Sequence, residues 1–310
     1  MKHQIIYLIL VCFSMHSVAQ TKEIIKLWPD GHIPFNKEKI DLEEKLDAEG
    51  KRYSQISEPL LFVYRNDEDE MDGPALLFCP GGGYAVVAIG KDDGEQTAKK
   101  FLEMGFNTVA ILKYRLPDSL IVNSQEKVPL CDAQKALSMM HTKASEWKVD
   151  PKKIAVMGGS AGGHLAASLA TLSDEIIAPD VSKDQLEFAV SILMYPVISF
   201  NEPYRHKGSY KKLLGNELGN QELLDYYSLE NQVSTKTPPT FLVHAKDDVG
   251  VSYQNSLMYC NALNEKGVKC KYVELEKGGH GFGLSIKRTG VDWTIPLKTW
   301  LVDEVGLLEW

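Results

Sequence analysis

From residue 60 onward, short apolar runs alternate with stretches of helical spacing. "LLFVY" (60–64) reads as a strand and "NDEDEMDGP" after it as a charged turn. "ALLFC" (75–79) is a continuous apolar run that ends in "PGGGY". "GEQTAKKFLEMG" has helical spacing and closes on Gly105, and the strand "NTVAIL" follows. In "PLCDAQKALSMMHTKASEW", Leu130, Ala133, Leu137 and Met140 fall on one helical face. "DPKKIAVM" is the next strand, and "FAVSILMYP", "PTFLVHA" and "KCKYVELE" continue the series. A helix is predicted over about 251–265, and an amphipathic segment closes the chain at Trp310.

Continuous apolar strands between helices predict a mostly parallel sheet covered on both faces, an α/β fold. Residues 20–57 read as a polar lead-in, and residues 200–236 as a polar and aromatic cap inserted between two strands. With no internal repeat, residues 20–310 are expected to form one domain.

The first nineteen residues break this pattern. "MKHQ", the apolar "IIYLILVCF" and the small-x-small Ser17-Val18-Ala19 predict a signal peptide cut after Ala19, hence a secreted or periplasmic protein. The apolar run is too short to span a bilayer, so no stable membrane insertion is expected.

A net charge of −8 with no basic stripe argues against nucleic acid as a partner. Cys79, Cys131, Cys260 and Cys270 show no spacing suited to zinc, and neither a metal nor an organic cofactor is expected. Buried free thiols are the first expectation for these cysteines, with a Cys260–Cys270 disulfide as the alternative in an oxidising compartment.

Chemistry concentrates at "VMGGSAGGH" (156–164), where a strand runs into a helix through glycines. Gly158-Gly159-Ser160-Ala161-Gly162 fits G-x-S-x-G in the strand–turn–helix setting that a nucleophile elbow requires. A serine hydroxyl needs a base, and the base an orienting acid. Asp247 and Asp248 follow one predicted strand end, and His280 lies in the glycine-flanked loop after the next. Serine, acid and histidine therefore arrive in the required order, with either aspartate open as the acid. Upstream, "CPGGGY" matches in type a loop whose backbone amides hold an oxyanion, with Pro80 where histidine often stands. The candidate donors are the amides of Gly82, Gly83 and Ala161.

Other residues read as structural or peripheral. His164 is expected to pack within its helix, His244 to be buried and hydrogen-bonded, and Asp132 and Arg115 to pair near the sheet. Tyr84 is a candidate wall of the acyl pocket, with core packing as its alternative. Tyr204, Tyr210, Tyr226 and Tyr227 are candidates to face a sugar ring, with simple packing as theirs.

On the stretches "LWPDG", "PGGGY", "YRLP", "VDPKKIAVMGGSAGGHLAA", "YSLENQV", "TPPTFLVHAKDD" and "GGHGFG", the chain resembles the α/β-hydrolase superfamily. Within it the likeness is to the GGG-loop esterase branch and to secreted bacterial acetyl esterases of the acetylxylan type. The resemblance implies Ser160 as nucleophile, His280 as base, and an aspartate of the 247/248 pair as orienter, where a D-x-x-V pattern with Ser252 in place of the usual proline favours Asp248 and the doublet keeps Asp247 open. It also implies short acyl esters, acetyl above all, on small-molecule or oligosaccharide substrates. A general short-chain carboxylesterase or a feruloyl esterase fits the same residues. A serine peptidase would want a propeller domain for which the chain has no room, and a lipase an apolar lid where "NEPYRHKGSYKKLLGNELGN" is polar. A non-catalytic binding protein would be expected to lack the serine or the histidine.

Overall fold

The computed structural model describes residues 20–29, 32–66, 71–92 and 94–310. The predicted signal peptide lies outside the described residues. Eight strands form the main sheet: β1 (Gln20–Lys26), β2 (Leu60–Asn66), β3 (Gly73–Cys79), β4 (Thr108–Lys113), β5 (Val149–Gly159), β6 (Val190–Met194), β7 (Thr240–Ala245) and β8 (Cys270–Leu275). Their order is β1-β2-β4-β3-β5-β6-β7-β8. The β1–β2 and β2–β4 pairs are antiparallel and the pairs from β4 to β8 parallel. Strands β4, β6 and β7 are buried along their whole length, as expected where helices cover both faces.

The main helices are α1 (Glu95–Met104), α2 (Val128–Thr142), α3 (Ala161–Thr171), α4 (Lys207–Leu214), α5 (Gln221–Tyr226), α6 (Gln254–Glu265) and α7 (Thr294–Thr299). Helix α1 ends where the sequence predicts, because Gly105 adopts φ 121° and caps the last turn. Every strand predicted from residue 60 onward is present within a few residues of its expected span.

The polar lead-in is the main departure. It supplies β1, an edge strand whose lysines point to solvent, so it reads as polar although its backbone completes the sheet. It also supplies Lys45–Leu46 and Arg52–Ser54, which join Val87–Ala88 in a small antiparallel sheet. Buried Trp28 anchors it to α2 by donating from Nε1 to Asp132 at 2.9 Å. Asp132 also receives the Arg115 guanidinium in a fully buried ion pair, Nη2–Oδ1 2.6 Å. Residues 200–236 fold into α4, α5 and two short 3₁₀ turns between β6 and β7.

A disulfide joins Cys260 on α6 to Cys270 on β8, with Cα atoms 5.6 Å apart, so of the two readings of this pair the bonded one holds. Cys79 and Cys131 are buried free thiols, and burial pushes both up to about 12.

Register gathers the candidate chemistry. Cys79 pairs with Gly158, Gly159 with Met194, and Ala245 with Leu275. The chain segments leaving β3, β5, β7 and β8 therefore emerge along one edge of the sheet, at the carboxyl ends of parallel strands.

Candidate active site

Ser160 sits between β5 and α3 with φ 56° and ψ −123°, a backbone conformation that costs an L-residue strain. Close packing makes glycine obligatory on both sides of it. A Cβ on Gly158 would lie 2.1 Å from the Gly162 carbonyl oxygen, and one on Gly162 would lie 2.1 Å from that of Cys79. The Ser160 amide is spent on the sheet, donating to the Met194 carbonyl at 3.0 Å.

The Ser160 hydroxyl lies 2.7 Å from His280 Nε2, and His280 Nδ1 lies 2.8 Å from Asp248 Oδ2. An ionised carboxylate only accepts, so Nδ1 carries the hydrogen, and Nε2 of the neutral ring accepts from the serine. The Asp248 side chain is fully buried. Its Oδ1 accepts from the amides of Gly250 (2.8 Å) and Val251 (2.9 Å). Burial works to raise this carboxyl, but hydrogen bonds from His244, His280 and the Val251 amide outweigh it and hold it well below the ordinary carboxylate range.

The two neighbouring aspartates separate here. Asp247 Oδ1 accepts from the Gly279 amide at 2.7 Å, tying down the loop that carries His280, whereas Asp248 touches the imidazole itself. His244 is fully buried behind the acid. Its Nε2 faces Asp248 Oδ2 (3.1 Å) and the Val251 carbonyl (3.0 Å), both acceptors, so Nε2 carries the hydrogen. Its Nδ1 accepts from Ser256 at 2.8 Å.

The Pro80–Tyr84 loop lies against the serine: a Cβ on Gly81 would come within 2.7 Å of the Gly159 carbonyl and 3.1 Å of Ser160 Cβ. Gly82 adopts φ 134°, and a Cβ there would collide with the Val86 carbonyl at 2.1 Å. The amides of Gly82, Gly83 and Ala161 donate to no protein acceptor among the described residues. Ala161 opens α3, whose first-turn N–H groups have no partner inside the helix and carry its positive dipole end.

Tyr84 stands behind the loop. It is buried, its hydroxyl lies 2.9 Å from His164 Nδ1, and its ring packs edge-on against Tyr114. Burial first of all raises this hydroxyl well above its ordinary value, so it stays protonated and donates. His164 Nε2 faces the Tyr227 carbonyl at 2.9 Å, which leaves Nδ1 as the acceptor. Burial lowers His164 to about 4. These two residues form a packed polar pair under the site, the packing expected of His164 and the packing alternative for Tyr84.

A cleft of about 700 Å³ opens above Ser160 and His280. Phe78, Met157 and Met194 give it apolar walls, and His206, Arg52 and Arg288 add polar groups. Neither Tyr84 nor any of Tyr204, Tyr210, Tyr226 and Tyr227 lines it. Tyr210 and Tyr227 are buried: Tyr210 packs on Phe200, and the Tyr227 hydroxyl donates to the Glu126 carbonyl.

Three contributors escaped the sequence analysis. The Tyr195 ring meets His280 edge-on at 5.2 Å, and its hydroxyl accepts from the Gly283 amide. Its place just past β6, at the loop-bearing edge, was the available signal. Arg288 clamps the histidine loop by donating to the carbonyls of Gly278, His280 and Gly281. No motif announces it, because its partners are backbone atoms. The third is His206, which stacks beside His280.

Strand order, elbow and loop placement define an α/β-hydrolase fold. The BD-FAE family model matches residues 61–263, and the chain belongs to that family. It is similar to endo-1,4-beta-xylanase B of Butyrivibrio fibrisolvens, 35% identical over 230 residues that make up 72% of this chain and 34% of the relative. It is also similar to the acetylxylan esterase of Xylanibacter ruminicola, 32% identical over 214 residues, 68% of this chain and 41% of the relative. The chain thus spans well under half the length of both relatives. Among solved structures it is similar to an acetyl ester-xyloside bifunctional hydrolase from Caldicellulosiruptor lactoaceticus, with TM-score 0.74, 31% identity, and coverage of 93% of this chain and 97% of that one.

Proposed function

We propose that this chain is a secreted serine esterase that removes short acyl groups, acetyl above all, from carbohydrate such as xylan. In this reading residues 1–19 are a cleaved signal peptide, residues 20–310 the hydrolase domain, and residues 200–236 its cap. Ser160 attacks the ester carbonyl while His280 Nε2 takes the hydroxyl proton, and Asp248 holds the ring in the tautomer that can accept it. The amides of Gly82, Gly83 and Ala161 receive the oxyanion. His280 returns the proton to the departing alcohol, and water, activated by the same base, releases the acyl-enzyme.

One observation carries the reading: the continuous Ser160–His280–Asp248 relay, with contacts of 2.7 and 2.8 Å, opening into the cleft beside three amides that donate to no protein acceptor among the described residues. The acetylated-carbohydrate substrate is supported by similarity to the acetylxylan esterase and to the acetyl ester-xyloside hydrolase.

The test compares the mature protein with Ser160→Ala on p-nitrophenyl acetate, p-nitrophenyl octanoate and acetylated xylan. Acetate release from xylan that disappears in the variant supports both mechanism and substrate. Turnover of p-nitrophenyl acetate without release from xylan keeps the esterase and removes this substrate. Turnover that survives in Ser160→Ala removes the mechanism.

A further inference from the structure

We propose that His206 is a specificity-determining residue whose Nε2–H donates a hydrogen bond to an oxygen of the alcohol portion of the ester, a polyhydroxylated leaving group. The proposal rests on the carbohydrate-ester reading above and adds to it the residue that recognises the sugar.

His206 lines the same cleft as Ser160 and His280. Its ring lies nearly parallel to that of His280, at 24° with centroids 6.5 Å apart. In acyl transfer the base hands its proton to the departing alcohol, so the alcohol sits on the histidine side of the site, opposite the oxyanion donors. A group beside His280 is therefore placed to touch the alcohol rather than the acyl oxygen.

The local fold decides which ring nitrogen bears hydrogen. His206 is the N-cap of α4, and its Nδ1 accepts from the Ser209 amide at 3.2 Å, with the Ser209 hydroxyl also 2.8 Å away. A nitrogen that accepts from a backbone N–H has no hydrogen of its own, so in the neutral ring the hydrogen is on Nε2. Nε2 has no protein partner among the described residues. Burial first, and then the neighbouring His280, lower the His206 pKa against the pull of Asp248. A neutral donor suits a hydroxyl or ring oxygen rather than an anionic group.

The donor is also held still. Asn255 Nδ2 donates to the Tyr204 carbonyl at 3.0 Å, and Arg205 Nε donates to the Phe200 carbonyl at 2.6 Å. Phe200 stacks on His164 of α3 with centroids 4.6 Å apart. The chain on the N-terminal side of His206 is thereby tied to the helix that begins at the nucleophile.

Two substitutions separate recognition from capping. In His206→Asn and His206→Ser a side-chain oxygen can still accept the Ser209 amide, so the cap survives, while both side chains end short of the position of Nε2 and no longer bring a donor there. Each variant's kcat/KM for acetylated xylo-oligosaccharides is expected to fall about five- to tenfold, the range of one neutral hydrogen bond. For p-nitrophenyl acetate, whose alcohol offers no hydroxyl, the loss is expected to be smaller by about that factor, so the ratio of the two kcat/KM values shifts against the oligosaccharides. Equal losses on both substrates would make His206 a structural residue and overturn the proposal, as would unchanged values on both. A wild type that cleaves p-nitrophenyl acetate but frees no acetate from the oligosaccharides would instead fail the carbohydrate reading, and this proposal with it.

Discussion

Adjacent side chains can have unlike tasks, and Asp247 and Asp248 make the point. Asp248 is buried against the imidazole, while Asp247 holds a loop amide. In Asp248→Asn the amide can no longer hold His280 in the accepting tautomer, and kcat on p-nitrophenyl acetate is expected to fall about 10³- to 10⁴-fold. In Asp247→Asn the carbonyl of the new amide can still accept from Gly279, and the loss is expected to stay below about tenfold. Steady-state kinetics of the two variants make the comparison.

His164 links burial to pH. Its folded pKa is about 4 against an ordinary 6.5, so the unfolded chain binds the proton first as pH falls. The stability that depends on the neutral ring is complete above 6.5 and is lost as pH falls toward 4. Asp248, also depressed, acts in a lower window, losing its contribution only below its ordinary 3.8. Relative to His164→Gln, the wild type is expected to lose on the order of 3 kcal/mol between pH 7 and 4. Urea unfolding at both pH values measures this, and parallel pH profiles would refute it.

Among the elements, the β5–Ser160–α3 elbow and the Pro80–Tyr84 loop work as one unit, since the glycines of each face backbone atoms of the other. A Gly82 side chain would have to displace the Val86 carbonyl and hold φ 134°. Gly82→Ala is therefore expected to shift the loop's amides from the oxyanion and lower kcat about 10²- to 10³-fold. Far-ultraviolet circular dichroism is expected to remain native, because the sheet itself is not touched. Full activity in Gly82→Ala would show that this loop does not hold the oxyanion.

Over the whole molecule, the sheet serves as an assembly frame. Residues 120 positions apart in the chain, Ser160 and His280, come into contact because β5 and β8 send their loops to the same edge. The Cys260–Cys270 disulfide braces the β7–α6–β8 end of this frame, away from the cleft-lining residues. It closes a loop of 10 residues, for which chain entropy gives about 2–3 kcal/mol. Replacing both cysteines by serine is expected to lower Tm by about 5 °C and leave activity at 25 °C unchanged. Calorimetry of the oxidised and doubly substituted proteins reads the difference.

The sequence alone determined the α/β alternation, the strand spans from residue 60 onward, the elbow, and the types and order of serine, acid and histidine. Periodicity and glycine placement record local constraints, namely which face is buried and where the backbone must turn, and these survive in one dimension. Only the tertiary structure decided that Asp248 rather than Asp247 faces the histidine, that Tyr84 points away from the cleft, and that β1 completes the sheet. It also decided that Tyr195, His206 and Arg288 surround His280, and that Cys260 meets Cys270. Each of these depends on register or on the direction of a side chain across elements far apart in the chain. A charged edge strand or an arginine bonded to carbonyls has the same one-dimensional pattern as a solvated loop, and only packing tells them apart.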